Sequence, residues 1–144
     1  MKKQADSSKP SEKSAPFRRT RDNHANETAE DYVEAVCDIV EEKGECRVRD
    51  LSRLFGVSHV TVSRIVSRLV SEELLETAHY RPIMLTKAGA KLAQRVKKRH
   101  QVVYDFLIAI GVDAKTAKID SEGIEHHVSE KTIAVMKRHI AKSI

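Results

Sequence analysis

Only three residues, Gly56 to Ser58, separate two short amphipathic segments between Val48 and Ser71, and that connection leaves them few ways to pack. The first segment carries Leu51, Leu54 and Phe55 at helical spacing and ends at Gly56, a residue suited to the left-handed turn at a helix end. Ser58 then caps a second helix through about Ser71, whose Val62, Ile65, Val66 and Leu69 recur at i, i+3, i+4 and i+7. That pattern predicts a helix-turn-helix. The second helix turns His59, Thr61, Ser63, Arg64, Ser67 and Arg68 outward. Two arginines able to bond guanine edges, among small polar residues, make a face that suits a major groove.

After this pair come two short β-prone pieces, 74–77 and 83–85, joined by Ala78-His79-Tyr80-Arg81-Pro82. They are read as the hairpin of a wing, with Tyr80, Arg81 and, beyond it, Lys87 placed to contact phosphates. An ordinary amphipathic helix pair in a bundle, with Arg64 and Arg68 merely solvated, is the plainer alternative. The net charge of +5 weighs with the cap, the turn and the hairpin for double-stranded DNA. The predicted DNA contacts are Ser58, His59, Thr61, Ser63, Arg64, Ser67, Arg68, Tyr80 and Arg81. Aromatic residues are only 4% of the chain and Trp is absent, which argues against stacking platforms for single strands.

The flanking segments give the expected architecture: mainly α, with an N-terminal winged helix-turn-helix lobe over 27–86 and an α-helical dimerisation lobe over 87–144. A first helix runs from Glu27 to Lys43 with Tyr32, Val33, Val36, Cys37, Ile39 and Val40 on its apolar side, and Gly44 stops it. Thr86 caps a long helix from Lys87 to about Ile110. Three shorter helices are expected near 114–118, 121–128 and 130–142. Residues 1–26, basic and carrying Pro10 and Pro16, are expected to be a disordered tail. Cys37 and Cys46 form no CxxC pair, and no apolar run approaches the roughly 18 residues of a membrane span. A reduced, cytoplasmic protein without a secretory signal or membrane partner is the expectation.

The most informative stretch for chemistry is Asp120-Ser121-Glu122-Gly123-Ile124-Glu125-His126-His127. On a helix, Glu122, Glu125 and His126 share one face, so a single turn offers two carboxylates and an imidazole. Gly123 weakens so short a helix, which points to a special role for the turn. A solvated acidic turn with incidental histidines fits the same residues. His100 falls between Val96 and Val103 on the apolar side of the long helix, where a polar group requires a partner, either a hydrogen bond within the core or a metal. Asp31 and Glu34 share a side of the first helix, but with Asp38 and Glu41 they form a continuous polar stripe. Periodicity reads that stripe as a solvated face and does not join it to the other three positions.

Asp31-Tyr32-Val33-Glu34, Glu42-Lys43-Gly44, Leu85-Thr86 with Gly89, Arg99-His100 and Glu122-Gly123-Ile124-Glu125-His126-His127 together resemble manganese regulators of the diphtheria-toxin-repressor family, over about 27–139. The resemblance implies a winged-helix lobe, a helical dimerisation lobe and a metal site between them. It implies as ligands Asp31, Glu34, His100, Glu122, Glu125 and His126, with a contribution from a backbone carbonyl open. The basic N-terminal extension is similar to that of Gram-negative members, and no SH3-like domain is expected after the last helix.

Four carboxylates and two imidazoles form a hard oxygen–nitrogen set that suits Mn(II), in one or two ions per subunit; iron-responsive relatives carry sulfur where this chain has Asp31 and Glu122. Fe(II) stands as the alternative ion. Cys37, beside the apolar arc, is expected to pack in the core. The function implied is a homodimeric repressor of manganese-uptake genes that metal activates for a palindromic operator, with no organic cofactor. Carboxylate–histidine clusters also hold catalytic dimetal centres, but no residue is identifiable as a nucleophile or substrate clamp, so an enzyme is not expected.

Overall fold

The computed structural model describes residues 12–142. A single 3-10 turn, Glu12–Ser14, leads into α1, Ala15–Lys43. Next come α2, Val48–Phe55, and α3, His59–Ser71, then the hairpin strands β1, Leu75–Glu76, and β2, Met84–Leu85. The second lobe is built from α4, Lys87–Ala109; α5, Ala114–Ile124; a 3-10 turn, Glu125–His127; and α6, Glu130–Lys142.

The first helix begins twelve residues earlier than its apolar periodicity requires. The part of the expected disordered tail that is described, 12–26, is therefore a 3-10 turn and helix; residues 1–11 lie outside the described residues. Helix propagation explains the extension. Pro16 stands in the first turn, where a missing N–H costs nothing, and no Gly or Pro interrupts the run from there to Lys43. The helices expected near 114–118 and 121–128 are likewise one helix, α5, followed by a 3-10 turn, because Asp113 caps the start and nothing between Lys118 and Ser121 breaks it.

The helix-turn-helix forms as its local signals dictate. Gly56 takes φ 64°, the left-handed conformation, and donates its N–H to the Ser52 carbonyl at 2.9 Å. The Ser58 hydroxyl accepts from the Thr61 N–H at 3.1 Å. Leu51, Val62, Val66 and Leu69 are buried with Val33 and Val36 of α1, Cys46, and Leu75 and Ile83 of the wing, and Tyr32 stacks on Phe55 with ring centroids 4.6 Å apart. The core of the DNA-binding lobe is thus built on α1. Ser58→Ala is expected to cost about 1 kcal/mol of stability, read as a lower urea midpoint with an unchanged slope.

The wing is an antiparallel pair, Leu75 opposite Leu85 and Glu76 opposite Met84, extended by a bridge between Cys46 and Ile83. Thr86 ties its base to α4: its hydroxyl donates to the Glu73 carbonyl at 2.6 Å and accepts from the Gly89 N–H at 3.0 Å. From there α4 runs through the second lobe, packing on α1, α5 and α6. Among the described residues no helix is long and apolar enough to cross a membrane.

Candidate metal centre and DNA interface

The acidic stripe of α1 runs along the second lobe, with Asp31 and Glu34 partly buried and Asp38 and Glu41 still exposed. Lys97 of α4 lies 2.8 Å from Asp38 and 3.6 Å from Glu41, while Asp31, Glu34, Asp38 and Glu122 line one cleft with Leu54 and Phe55. Leu54, expected in the helix-pair core, is 60% exposed there. Periodicity reads a polar stripe as wet because it registers only the helix itself; here the second helix bundle partly covers Asp31 and Glu34 and leaves Asp38 and Glu41 at the surface.

The 3-10 turn supplies the centre of the site. Glu125 and His126 do not continue α5 as the expected helical face but stand on this turn, both buried. Glu125 sends Oε2 to within 3.1 Å of His100 Nδ1 and Oε1 to within 3.3 Å of His126 Nε2. His126 Nε2 also lies 3.0 Å from Asp31 Oδ1, and Glu122 Oε1 lies 3.8 Å from His100 Nδ1. Atoms able to ligate a metal gather in two sets, His100 with Glu122 and Glu125, and Glu27 with Asp31 and His126. Of the six residues named by the resemblance, five fall in these two sets, with Glu27 as an added member, and Glu34 lines the neighbouring cleft with Asp31 and Glu122.

The electrostatics follow from crowding. Burial, aided by Glu122, Asp38 and Asp31, pushes the Glu34 carboxyl up to about 7. Burial also pushes Glu125 up to about 8, with Glu34 and Glu122 adding to it and His126 and Arg99 opposing. For His126 burial acts downward, but the Asp31 and Glu30 carboxylates outweigh it and raise the imidazole to about 10.

The residues fit a divalent cation on one structural ground. His100 Nδ1, Glu125 Oε2 and His126 Nε2 are buried and none is aligned with a hydrogen-bond partner, although each has another of the set about 3 Å away. Buried polar groups left that way are costly. Neighbouring ligands of an octahedral ion with bonds of about 2.1 Å are themselves about 3 Å apart, so the spacing that fails as hydrogen bonding suits coordination. Cys37 does not join them; its Sγ lies 3.5 Å from Lys97 Nζ and 3.6 Å from a Glu41 oxygen.

Three neighbours had no periodic signal to announce them. Glu30 Oε2 is 2.6 Å from His126 Nδ1, Glu27 Oε2 is 3.2 Å from His127 Nε2, and Arg99 bonds the carbonyl oxygens of Glu125 and Val128. The Arg99-His100 and His126-His127 pairs pointed only to His100 and His126. A Cβ added to Gly123 would meet nothing within 4 Å, so no close approach in the chain calls for glycine there.

On the opposite side of the first lobe, α3 presents His59, Ser63, Arg64, Ser67 and Arg68 to solvent, with Arg68 3.5 Å from Glu72. Thr61 is half-buried, and its hydroxyl bonds that of Ser58 at 3.0 Å, so these two are occupied by the cap. Tyr80 and Arg81 stand exposed at the wing tip, where Tyr80 takes a positive φ of 60°.

Comparison with known proteins places the two lobes together. Residues 24–83 match the family model "iron dependent repressor, N-terminal DNA binding domain", and residues 86–142 match "iron dependent repressor, metal binding and dimerisation domain". The transcriptional regulator MntR of Escherichia coli O6:H1 is 44% identical over 81% of this chain and 76% of its own length. The MntR of Bacillus subtilis is 39% identical over 72% of this chain and 73% of its own. Among solved structures, a manganese-dependent transcriptional repressor in complex with manganese shares the fold with a TM-score of 0.71 at 23% identity, covering 78% of this chain and 52% of that one. The IdeR of T. acidophilum gives 0.64 at 26% over 78% and 52%. The chain spans about half the length of those solved structures. Both lobes, in order and over most of the sequence, are those of one family, and the chain belongs to it: the diphtheria-toxin-repressor family of iron-dependent repressors, on its MntR side.

Proposed function

We propose that this family member is a cytoplasmic, homodimeric repressor of manganese-uptake genes, without enzymatic activity, that Mn(II) activates for operator binding. The observation that carries the reading is the buried pair His100 Nδ1 and Glu125 Oε2, 3.1 Å apart and unsatisfied, with Glu122 Oε1 3.8 Å from the same nitrogen. Asp31, Glu34, His100, Glu122, Glu125 and His126 hold the metal. An oxygen–nitrogen set without sulfur favours Mn(II) over softer ions.

When bound, the cation supplies positive charge that offsets the mutual repulsion of the four carboxylates. Asp31 and Glu34 are on α1, and His100, Glu122, Glu125 and His126 belong to the second lobe, so holding all six in one geometry fixes α1 against α4 and the 3-10 turn. Because Tyr32, Val33 and Val36 of α1 share a core with α2 and α3, the orientation of α3 is fixed with it. In a dimer this restricts the two α3 helices to a separation that adjacent major grooves accept. Exposed Ile108, Ile110, Ile119 and Val135 of the second lobe suit a self-association face. Arg64 and Arg68 then read base edges, while Tyr80, Arg81 and Lys87 bind phosphates.

The test is binding to a palindromic duplex selected from a random library in the presence of Mn(II), measured by fluorescence anisotropy at fixed salt with Mn(II), Fe(II) and Zn(II) in turn. A coupling of about 1–3 kcal/mol, or 5–150-fold tighter binding with Mn(II), is expected. Equal affinity with and without Mn(II) would overturn the switch, and a response to Fe(II) alone would reassign the signal.

A further inference from the structure

Glu30 and Arg99 have no part in the reading above, yet they sit deeper than several of the ligands. Their side chains are 13% and 14% exposed, against 40% for Asp31 and 57% for Glu122. Glu30 Oε2 lies 2.6 Å from His126 Nδ1, and its Oε1 lies 3.3 Å from Arg99 Nη1. The other terminal nitrogen of Arg99 donates to the carbonyl oxygens of Glu125 and Val128, which bracket the 3-10 turn. One residue from α1, one from α4 and one from the turn are thus tied into a single buried chain. Each member is, or directly precedes, a residue of the cleft: Glu30 before Asp31, Arg99 before His100, and His126 itself.

An imidazole can bind a cation through one nitrogen only when that nitrogen is free of its proton, and a carboxylate on the opposite nitrogen fixes both the tautomer and the ring plane. Glu30 occupies the Nδ1 side of His126, which leaves Nε2 directed at Asp31 and Glu125, 3.0 and 3.3 Å away. Arg99 holds the Glu30 carboxylate in place by a charge-assisted contact and anchors the backbone that carries Glu125 and His126. Building on the proposed metal site, we infer that Glu30 and Arg99 are positioning residues: Glu30 aims His126 Nε2 into the site, and Arg99 holds Glu30 and the turn in register.

The rival interpretation is that Glu30 competes with the metal by holding His126 aside. The two separate on one set of variants. Mn(II) affinity is measured by loss of the free-ion EPR signal for the wild type, Glu30→Ala and Glu30→Gln, and the His126 Nδ1–H resonance is sought by nitrogen-15 NMR in the metal-free proteins. Glu30→Ala is expected to bind Mn(II) 10–100-fold more weakly and to lose the hydrogen-bonded Nδ1–H resonance, whereas Glu30→Gln, which keeps an accepting oxygen, recovers most of both. If Glu30→Ala does not fold, Glu30→Met fills the same volume without an acceptor and takes its place. Affinity unchanged or tightened in the alanine variant, or lost equally in the glutamine variant, overturns the inference. A wild type that binds no Mn(II) would instead sink the proposed function, and the aiming contact would then fail or survive on the Nδ1–H resonance alone.

Discussion

Glu125→Gln is expected to abolish the metal response of DNA binding while leaving the metal-free fold at least as stable as the wild type. Glu125 is 2% exposed, and its two oxygens approach both His100 and His126, so it is the carboxylate on which the two halves of the site meet. Gln keeps the volume but offers one weakly donating oxygen and a pair of N–H donors, which repel a cation. Loss of at least 10–100-fold in Mn(II) affinity follows, since even residues that only orient ligands cost that much. The 5–150-fold tightening on DNA should then shrink to nearly nothing. Stability gives a second readout. With Mn(II) at 100 times its Kd the wild type gains about 2.7 kcal/mol by mass action, and Glu125→Gln at the same concentration gains about 1.4 kcal/mol if its affinity falls 10-fold and about 0.4 kcal/mol if it falls 100-fold. In the absence of metal, a neutral amide replaces a buried carboxyl with an unsatisfied oxygen, and that exchange does not destabilise. Thermal melts of both proteins with and without Mn(II) decide the matter: a Glu125→Gln melt that rises with Mn(II) as much as that of the wild type places the metal elsewhere.

Gly89→Ala is expected to cost about 3 kcal/mol and to loosen the wing from the second lobe. A Cβ at Gly89 would stand 2.0 Å from the Leu74 carbonyl oxygen and 3.0 Å from its carbon, with Leu85 Cδ2 at 3.3 Å. The obstructing atoms are backbone, so no rotamer relieves the clash, and either α4 or the base of the hairpin must move. The same Leu74 carbonyl accepts from the Thr86 N–H at 3.1 Å, and Thr86 caps the helix at Gly89, so the displacement strains the junction through which wing and α4 are registered. Gly123→Ala is the internal control. It lies inside α5 with open space around it, and alanine there should be neutral or stabilising by up to about 1 kcal/mol. Urea midpoints for the two variants should therefore move in different directions. Equal, small changes at both positions would mean that the hairpin base yields at little cost.

Some of this protein is legible residue by residue. Gly56 and Ser58 act through bonds to atoms within four residues along the chain, and Thr86 caps α4 through the Gly89 N–H three residues on; the elements they delimit appear close to the bounds their spacing predicts. The outward face of α3 and the hairpin are equally local. The turn at Glu122 to His126 announces its chemistry by composition, though not its shape, because the choice between continuing α5 and tightening to a 3-10 turn rests on Arg99, more than twenty residues away, binding the Glu125 and Val128 carbonyls. The start of α1 escapes local reading for the opposite reason: apolar periodicity marks where a helix is buried, while propagation decides how far it runs beyond.

What the sequence by itself determined, then, is the order of the helix-turn-helix, the hairpin and the long helix after it, the outward face of α3 and the presence of ligand-grade side chains. Tertiary structure alone decided which of those side chains meet. Asp31 and His126, or Glu30 and Arg99, come together only because α1 packs on α4 and on the 3-10 turn. A charged stripe looks the same along the chain whether water or another helix lies against it. The free energy that distinguishes the two cases comes from groups some 70–95 positions distant, which no local pattern records.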